Sequence, residues 1–331
     1  KIQLPPGYKE DDLEDLPSEG KRMGPNRYFA HIRSHKQWRN AVQGYLASIY
    51  FADTMLGYVL DALEKGPNTK DTILVLWSDH GWHLGEKQHW QKFTAWRACT
   101  RVPLIVRVPK GTPGLQKGTT PGTCSKPVSL LSLAPTLLEL SGLPPVKAHD
   151  GPSLVPLLAD PKMDWPHVAV THLDSPGSFG LSTENWRYIR YAKGGEELYN
   201  VKSDPYEWRN LAKKKKHQFT LECLRALAPR KFAKLVQPKV DTLPPLKWKP
   251  LAAGAKAPPS KPDGNPFDVV FINRSAKKVE LFWMDRTGGR KPYALIAPGA
   301  QYSQQTRPGA VWMIAEAEGK TGKNLGYFEV G

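Results

Sequence analysis

Hydrophobic positions change their spacing several times along the chain, and each change marks an element. Between about His35 and Lys65, Val42, Tyr45, Leu46, Ile49, Ala52, Met55, Leu56, Val59, Leu60 and Leu63 recur every three or four residues, predicting an amphipathic helix. Gly66-Pro67-Asn68 stops it. The apolar, partly β-branched run Thr72-Ile73-Leu74-Val75-Leu76-Trp77 reads as a buried strand of a parallel sheet. A second strand is predicted at 103–108, closed by Pro109-Lys110-Gly111. Leu130 to Leu140 reads as a helix with Ser132 as candidate N-cap. Short runs at 167–173, 179–182, 186–192 and 196–200 predict an antiparallel sheet, followed by a basic helix at 213–235.

The composition then shifts. Residues 236–266, with Leu243-Pro244-Pro245 and Ala257-Pro258-Pro259, read as a semi-rigid linker. Beyond it come short alternating runs at 268–273, 279–285, 292–296, 302–306, 310–315 and 325–330, divided by Gly288-Gly289, Pro298-Gly299 and Pro308-Gly309. These predict a small all-β sandwich over 267–331. Residues 1–235 are predicted as an α/β part (1–165) with an antiparallel subdomain (166–212). The Pro- and Gly-rich first 35 residues read as an irregular surface segment, so Asp11-Asp12 is not taken as a metal pair.

The chain has 331 residues and a formal charge of +16, which favours acidic partners. Lys213-Lys214-Lys215-Lys216 accounts for part of it and reads as a solvated helix start or loop. No run of 18 apolar residues is present, so no membrane span is expected, and no signal peptide is seen. Cys99, Cys124 and Cys223 are too far apart for a zinc motif and are expected to be buried free thiols.

Candidate chemistry lies just after the strand at 72–77. In open α/β sheets ligands bind beyond the carboxyl ends of strands, where Asp79 and His80 would stand. A carboxylate next to an imidazole can hold a divalent cation or a charged oxygen, although Asp-His-Gly alone is also ordinary turn chemistry. The polar and aromatic stretch that follows offers Trp82, His83, Trp90, Lys92, Trp96 and Arg97 as a substrate rim. Aromatic faces there would stack on sugar rings or on a cationic group, and the cations would meet an anion.

Ser78-Asp79-His80-Gly81-Trp82-x-Leu84-Gly85-Glu86, Lys92 and Thr100-Arg101-Val102-Pro103-Leu104-Ile105-Val106 together resemble the sulfatase family, in particular its iduronate-2-sulfatase-like subgroup. The resemblance continues through Asp150-Gly151-x-Ser153-Leu154, Trp186-Arg187-Tyr188-Ile189 and Asp204-Pro205-x-Glu207-x-x-Asn210-Leu211, to about residue 212. It implies an alkaline phosphatase/sulfatase-like α/β sandwich, truncated at its N-terminal side, and sulfuric ester hydrolysis. Asp79 is similar to the Ca²⁺-binding aspartate, His80 to a residue of the metal and sulfate site, and Lys92 to the lysine that contacts sulfate. Asp204 and Glu207 read as a turn and a helix start. The family's nucleophile is a formylglycine made from Cys in Cys-x-Pro-Ser-Arg, and none of the three cysteines here is followed by x-Pro. The expectation is therefore the C-terminal part of a sulfatase, inactive alone, with a weak or empty Ca²⁺ site. Its expected partner is a sulfated carbohydrate or other small sulfate ester, with neither nucleic acid nor membrane, in a periplasmic or secreted location. Phosphate or phosphonate ester hydrolysis on the same fold, and a non-catalytic binding protein, stand as alternatives.

The last block resembles the von Hippel-Lindau β-domain through Phe271-Ile272-Asn273-Arg274-Ser275, Trp283, Pro292-Tyr293, Pro298-Gly299 and Trp312. The resemblance implies a pocket of Trp283, Tyr293, Thr306 and Trp312 for a peptide partner. The family's pocket histidine falls at Ala310, which removes a hydrogen-bond partner.

Overall fold

The computed structural model describes residues 2–173, 175–233, 243–317 and 322–331. Contacts divide the chain into two compact units, Lys1–Leu235 and Val236–Gly331.

In the first unit, helix α1 (Arg27–Ser34) starts at Asn26, whose side-chain oxygen accepts from Phe29 N at 2.9 Å. Helix α2 (Trp38–Lys65) covers most of the predicted span. Strand β1 (Leu74–Trp77) pairs with β2 (Leu104–Arg107), placing Val75 opposite Val106. The pairing is antiparallel, which corrects the parallel expectation. A parallel neighbour needs a long crossover, usually helical. The intervening segment supplies no helix longer than four residues and instead returns through a small ladder of His83–Leu84 with Trp90–Gln91 and the short turn Arg97–Thr100. The predicted cap is also corrected. Ser129 accepts from Leu131 N ahead of helix α3 (Leu133–Leu140), while the Ser132 hydroxyl is buried and lacks a partner among the described residues.

Four strands, β3 (Ala169–His172), β4 (Phe179–Ser182), β5 (Trp186–Arg190) and β6 (Glu196–Asn200), form an antiparallel sheet in sequence order. Both faces are covered. Phe179, Leu181, Tyr188 and Leu198 pack on Leu221 and Leu224 of helix α4 (Gln218–Ala226). Ile189 and Tyr199 pack with Leu16, Ala95 and Trp96. The second group anchors the loop after β1 to this sheet.

Helix α2 leaves Leu46, Ile49, Tyr50, Phe51, Tyr58 and Val59 exposed. By length and composition alone it is apolar enough to cross a membrane, which the run-length reading of the sequence did not find. A helix that covers a sheet has the same amphipathic composition.

In the second unit, a five-stranded sheet has the order β10-β9-β12-β13-β7. Its strands are β7 (Trp248–Pro250), β9 (Val279–Met284), β10 (Arg290–Ile296), β12 (Val311–Glu316) and β13 (Asn324–Glu329). It packs on a ribbon of β8 (Phe267–Ile272) and β11 (Gln301–Thr306), with Leu281, Trp312, Phe271 and Ile296 between them. Trp248–Pro250 pairs with β13, and Ala257 and Ser260 are buried, so much of the predicted linker belongs to this unit. Residues 234–242, at the predicted end of the basic helix and start of the linker, lie outside the described residues. The cysteines are free. Cys99 is buried as expected, but Cys124 and Cys223 are exposed.

Candidate active site

Strand β1 ends by delivering Ser78, Asp79 and His80 into a turn. Ser78 Oγ donates to His80 O at 2.8 Å. His80 Nδ1 lies 2.9 Å from Gly81 O and so carries the proton, which leaves Nε2 to accept from Lys92 Nζ at 2.9 Å. Asp79 Oδ2 stands 3.6 Å from the same His80 nitrogen, and its side chain is 80% exposed. The structure thus brings together the three predicted residues Asp79, His80 and Lys92. Gly81 permits this turn: its N–H donates to Cys99 O, and a Cβ there would sit 2.1 Å from Ala98 O.

The loop that carries Lys92 is strained. Lys87, Gln88, Gln91 and Phe93 have φ of 56°, 47°, 86° and 74°, a left-handed region that side chains other than glycine rarely adopt. Strain of this kind persists where surrounding contacts over-determine it. Here the contacts are buried charges. Lys87 and Asp12 are each 1% exposed; Asp12 accepts from Lys87 Nζ at 2.8 Å and from Lys87 N at 3.0 Å. Lys87 Nζ also donates to the Glu207 carbonyl and stands 5.0 Å from the Tyr199 ring centroid. The Glu207 carboxylate accepts from Arg97 N at 2.7 Å and faces Arg187 at 4.0 Å. Burial outweighs these cations and pushes Asp12 up to about 6 and Glu207 up to about 7. Glu197, also buried and raised by burial, accepts from Trp96 Nε1, Tyr191 and Tyr199.

This cluster corrects several readings. Asp12 lies inside the unit and not on a surface segment. Glu207 does not start a helix: it has φ 61° and points inward, while Asp204 makes the expected turn by accepting from Trp208 N and Arg209 N. Three predicted rim residues are core. Trp96 is 1% exposed. Trp90 packs with Phe29 and Val42. His83 is fully buried, with Nε2 2.7 Å from Thr94 Oγ1, and burial pushes its pKa down to about 3, so it is neutral. Trp82 is half-buried and stacks on Tyr45 at 6.0 Å. Arg97 keeps its place beside the site, with Nη1 donating to Pro205 O at 3.1 Å.

Asp79, His80, Lys92, Arg97, Arg101 and Lys126 line one cleft of about 1750 Å³. Lys126, paired with Glu184 at 2.8 Å, was not foreseen, since its position depends on a contact 58 residues away. The cleft is basic and open, suited to an anionic group carried on a larger molecule. A Ca²⁺ ion wants 6–8 oxygens. Asp79 offers one exposed carboxylate, and no cluster of three His, Cys, Asp or Glu groups exists among the described residues. These residues alone do not fit the ion.

In the second unit the four predicted pocket residues also converge. Trp283 pairs in register with Trp312, Tyr293 meets Trp312 edge-on at 4.8 Å, and Trp312 Nε1 donates to Thr306 Oγ1 at 2.9 Å. Thr306, Trp312 and Ala310 are buried.

The fold of the first unit belongs to the alkaline phosphatase-like α/β class. A solved 2-O GAG sulfatase aligns with 69% of this chain and 52% of its own, with a TM-score of 0.56 and 24% identity. Within that class the sequence is specific: residues 6–143 match the Sulfatase family and residues 85–230 match the C-terminal region of N-sulphoglucosamine sulphohydrolase, so residues 6–230 carry sulfatase-family domains. Residues 260–329 match the VHL beta domain. A sulfatase of Formosa agariphila is 40% identical over 234 residues, covering 69% of this chain and 44% of the relative. An N-acetylglucosamine-6-O-sulfatase of Bacteroides thetaiotaomicron is 30% identical over 216 residues, covering 62% and 35%. The chain spans less than half the length of these curated relatives.

Proposed function

We propose that this chain supplies the anion-binding side of a sulfatase active site, in the iduronate-2-sulfatase-like subgroup, for a sulfated sugar. The observation that carries the reading is the Lys92–His80 contact at 2.9 Å, at the end of β1 in a cleft also lined by Arg97 and Arg101. In sulfate-ester hydrolysis negative charge sits on the sulfate oxygens and builds on the leaving oxygen. Lys92 would neutralise the first through its remaining N–H groups, and the His80 imidazole, accepting from Nζ, fixes where that ammonium stands. The name of one relative, the N-acetylglucosamine-6-O-sulfatase, supports a sugar as carrier.

The nucleophile does not come from these 331 residues, because no Cys-x-Pro-Ser-Arg occurs in them. The reading therefore requires further polypeptide, and the exposed apolar face of α2 is a surface such polypeptide would cover. A periplasmic or secreted location goes with it. The test has two arms. The chain alone is expected to hydrolyse neither aryl sulfate nor glucosamine-6-sulfate, but to bind a sulfated monosaccharide by calorimetry, with binding lost in Lys92→Ala. Turnover by the chain alone, or unchanged binding in Lys92→Ala, would overturn the proposal.

A further inference from the structure

We propose that the edge strand β10 of the second unit is a docking surface for a sulfated polysaccharide, made of residues separate from those of the Lys92 cleft. Among the described residues β10 pairs only with β9, so no strand lies on its other side. A bulge interrupts that pairing: Pro292 opposes Phe282 and Ala294 opposes Leu281, leaving Tyr293 as the extra residue. The bulge turns Tyr293 and Ala294 to the same side. Ala294 packs on the core, while Tyr293 stands against Trp312 with 47% of its surface exposed. A tyrosine pinned by a buried tryptophan is a fixed platform at little entropic cost on binding.

A cation flanks that platform. Lys291 is exposed, lies opposite Trp283 and holds its Nζ 5.8 Å from the indole centroid. Arg290, one position earlier, projects to the opposite face, over Phe282 at 5.3 Å, and donates to Asn324 Oδ1 at 3.2 Å. Neither has an ion pair among the described residues. Asp285, the carboxylate of the β9–β10 turn, accepts from Thr287 N, Thr287 Oγ1 and Gly289 N, and its capacity is largely used within the turn. Basic residues outnumber acidic ones by about two to one over 243–331. An aromatic platform with a lysine that has no ion pair among the described residues beside it matches a ligand that alternates C–H faces with sulfate groups.

The same geometry argues against the other occupants of an edge strand. A peptide adding to β10 needs a regular ladder, and Pro292 and the bulge interrupt it. A hydroxylated proline needs polar partners in the aromatic pocket. Thr306 Oγ1 is already engaged by Trp312 Nε1, and position 310 is a buried alanine.

The test uses the full chain and surface-immobilised dextran sulfate, with dextran and polyglutamate as comparators, at physiological salt. Binding is expected to dextran sulfate only, with affinity falling about tenfold or more in Tyr293→Ala and in Lys291→Glu. Lys291→Glu changes an exposed residue, so it remains informative if Tyr293→Ala impairs folding. All are compared in a Lys92→Ala background, which removes the contribution of the cleft, and Lys249→Glu, on the far edge strand β7, is expected to keep the binding. Equal binding to polyglutamate, no binding in the Lys92→Ala background, or equal loss in Lys249→Glu would each overturn the proposal; none of these results bears on the cleft reading.

Discussion

Replacing Lys87 by methionine tests whether buried charge holds the active-site loop. Methionine keeps most of the apolar stem beside Tyr199 and removes the ammonium. Asp12, 1% exposed, then retains one hydrogen bond, from Lys87 N at 3.0 Å. Breaking a buried pair by removing one partner costs about 3–5 kcal/mol. Because the backbone bond survives and the carboxyl can take up a proton, the lower end, about 3 kcal/mol, is expected here. Asp12→Asn keeps the shape and strips the opposite charge, leaving Nζ with the Glu207 carbonyl, at a similar cost of about 3 kcal/mol. The double variant removes both charges, so neither is stranded. It is expected to cost less than the two singles added together, with a coupling of about 2 kcal/mol or more. Urea unfolding is the assay, read by hydrogen exchange in peptides around residues 83–97, because two units make a global two-state fit unsafe. A coupling below about 0.5 kcal/mol would refute the reasoning: the pair would then be two independently placed groups.

The pKa shifts give pH slopes of opposite sign. Glu207 is raised to about 7, so the folded state holds its proton more tightly than the unfolded chain. Stability from this group is present at low pH and is lost as pH rises from about 4.5 to 7, by about 3 kcal/mol; Glu207→Gln is expected to flatten that slope in urea melts across this window. His83 is lowered to about 3, so its contribution is present above the unfolded value of about 6.5 and is lost as pH falls through this range; a His83→Gln variant with unchanged acid sensitivity would contradict the assignment. Gly81→Ala forces a Cβ onto Ala98 O and is expected to lower the melting temperature and to weaken sulfated-monosaccharide binding together; a clear change in neither would show that the turn is slack. Thr306→Val strands Trp312 Nε1 in the second unit and is expected to cost about 1–3 kcal/mol by chemical denaturation.

Local pattern made the elements legible, and contacts distant in sequence decided how those elements are used. The period of α2, the run of β1 and the turn at Asp79-His80-Gly81 are written in neighbouring residues, and the structure has them. The partner of a strand is not local. β1 pairs antiparallel with β2 because of how 78–103 returns, which hydrophobic spacing does not encode. The same holds for the loop after β1. Trp90, Trp96 and His83 look like a rim because they are aromatic or polar beside a strand end. Two of them are buried by distant sequence, Trp96 against β5 and β6 and Trp90 against α1 and α2. Asp12 looked like surface for the same reason: its partner is 75 residues away. A signal was present in Lys87, a lysine inside an otherwise tight motif, but only the fold shows that it points inward.

Those distant contacts bear on what the site can do. Lys92 sits on a loop with four non-glycine residues in the left-handed region, each conformation costing of order 1–3 kcal/mol. Without compensation such a loop would relax and carry Lys92 away from His80. The compensation comes from three separate pieces of chain: residue 12 from the amino-terminal segment, residue 207 from the turn after β6, and Glu197 from β6 itself. The antiparallel sheet therefore serves the candidate site twice: Thr171, Ser182 and Arg187 line the cleft, and β6 helps to fix the loop from behind. An anion entering the cleft meets an ammonium whose position is already set, so binding orders little and the attraction is not spent on reorganising the loop. It follows that variants at Asp12, Glu207 or Glu197 should weaken anion binding through Lys92 mobility, with a loss that salt does not screen. Arg101→Ala at the mouth should instead lose an attraction that salt does screen. Comparing the salt dependence of sulfated-monosaccharide binding in Asp12→Asn and Arg101→Ala separates the two, and identical salt slopes would mean that the buried cluster does not act through the position of Lys92.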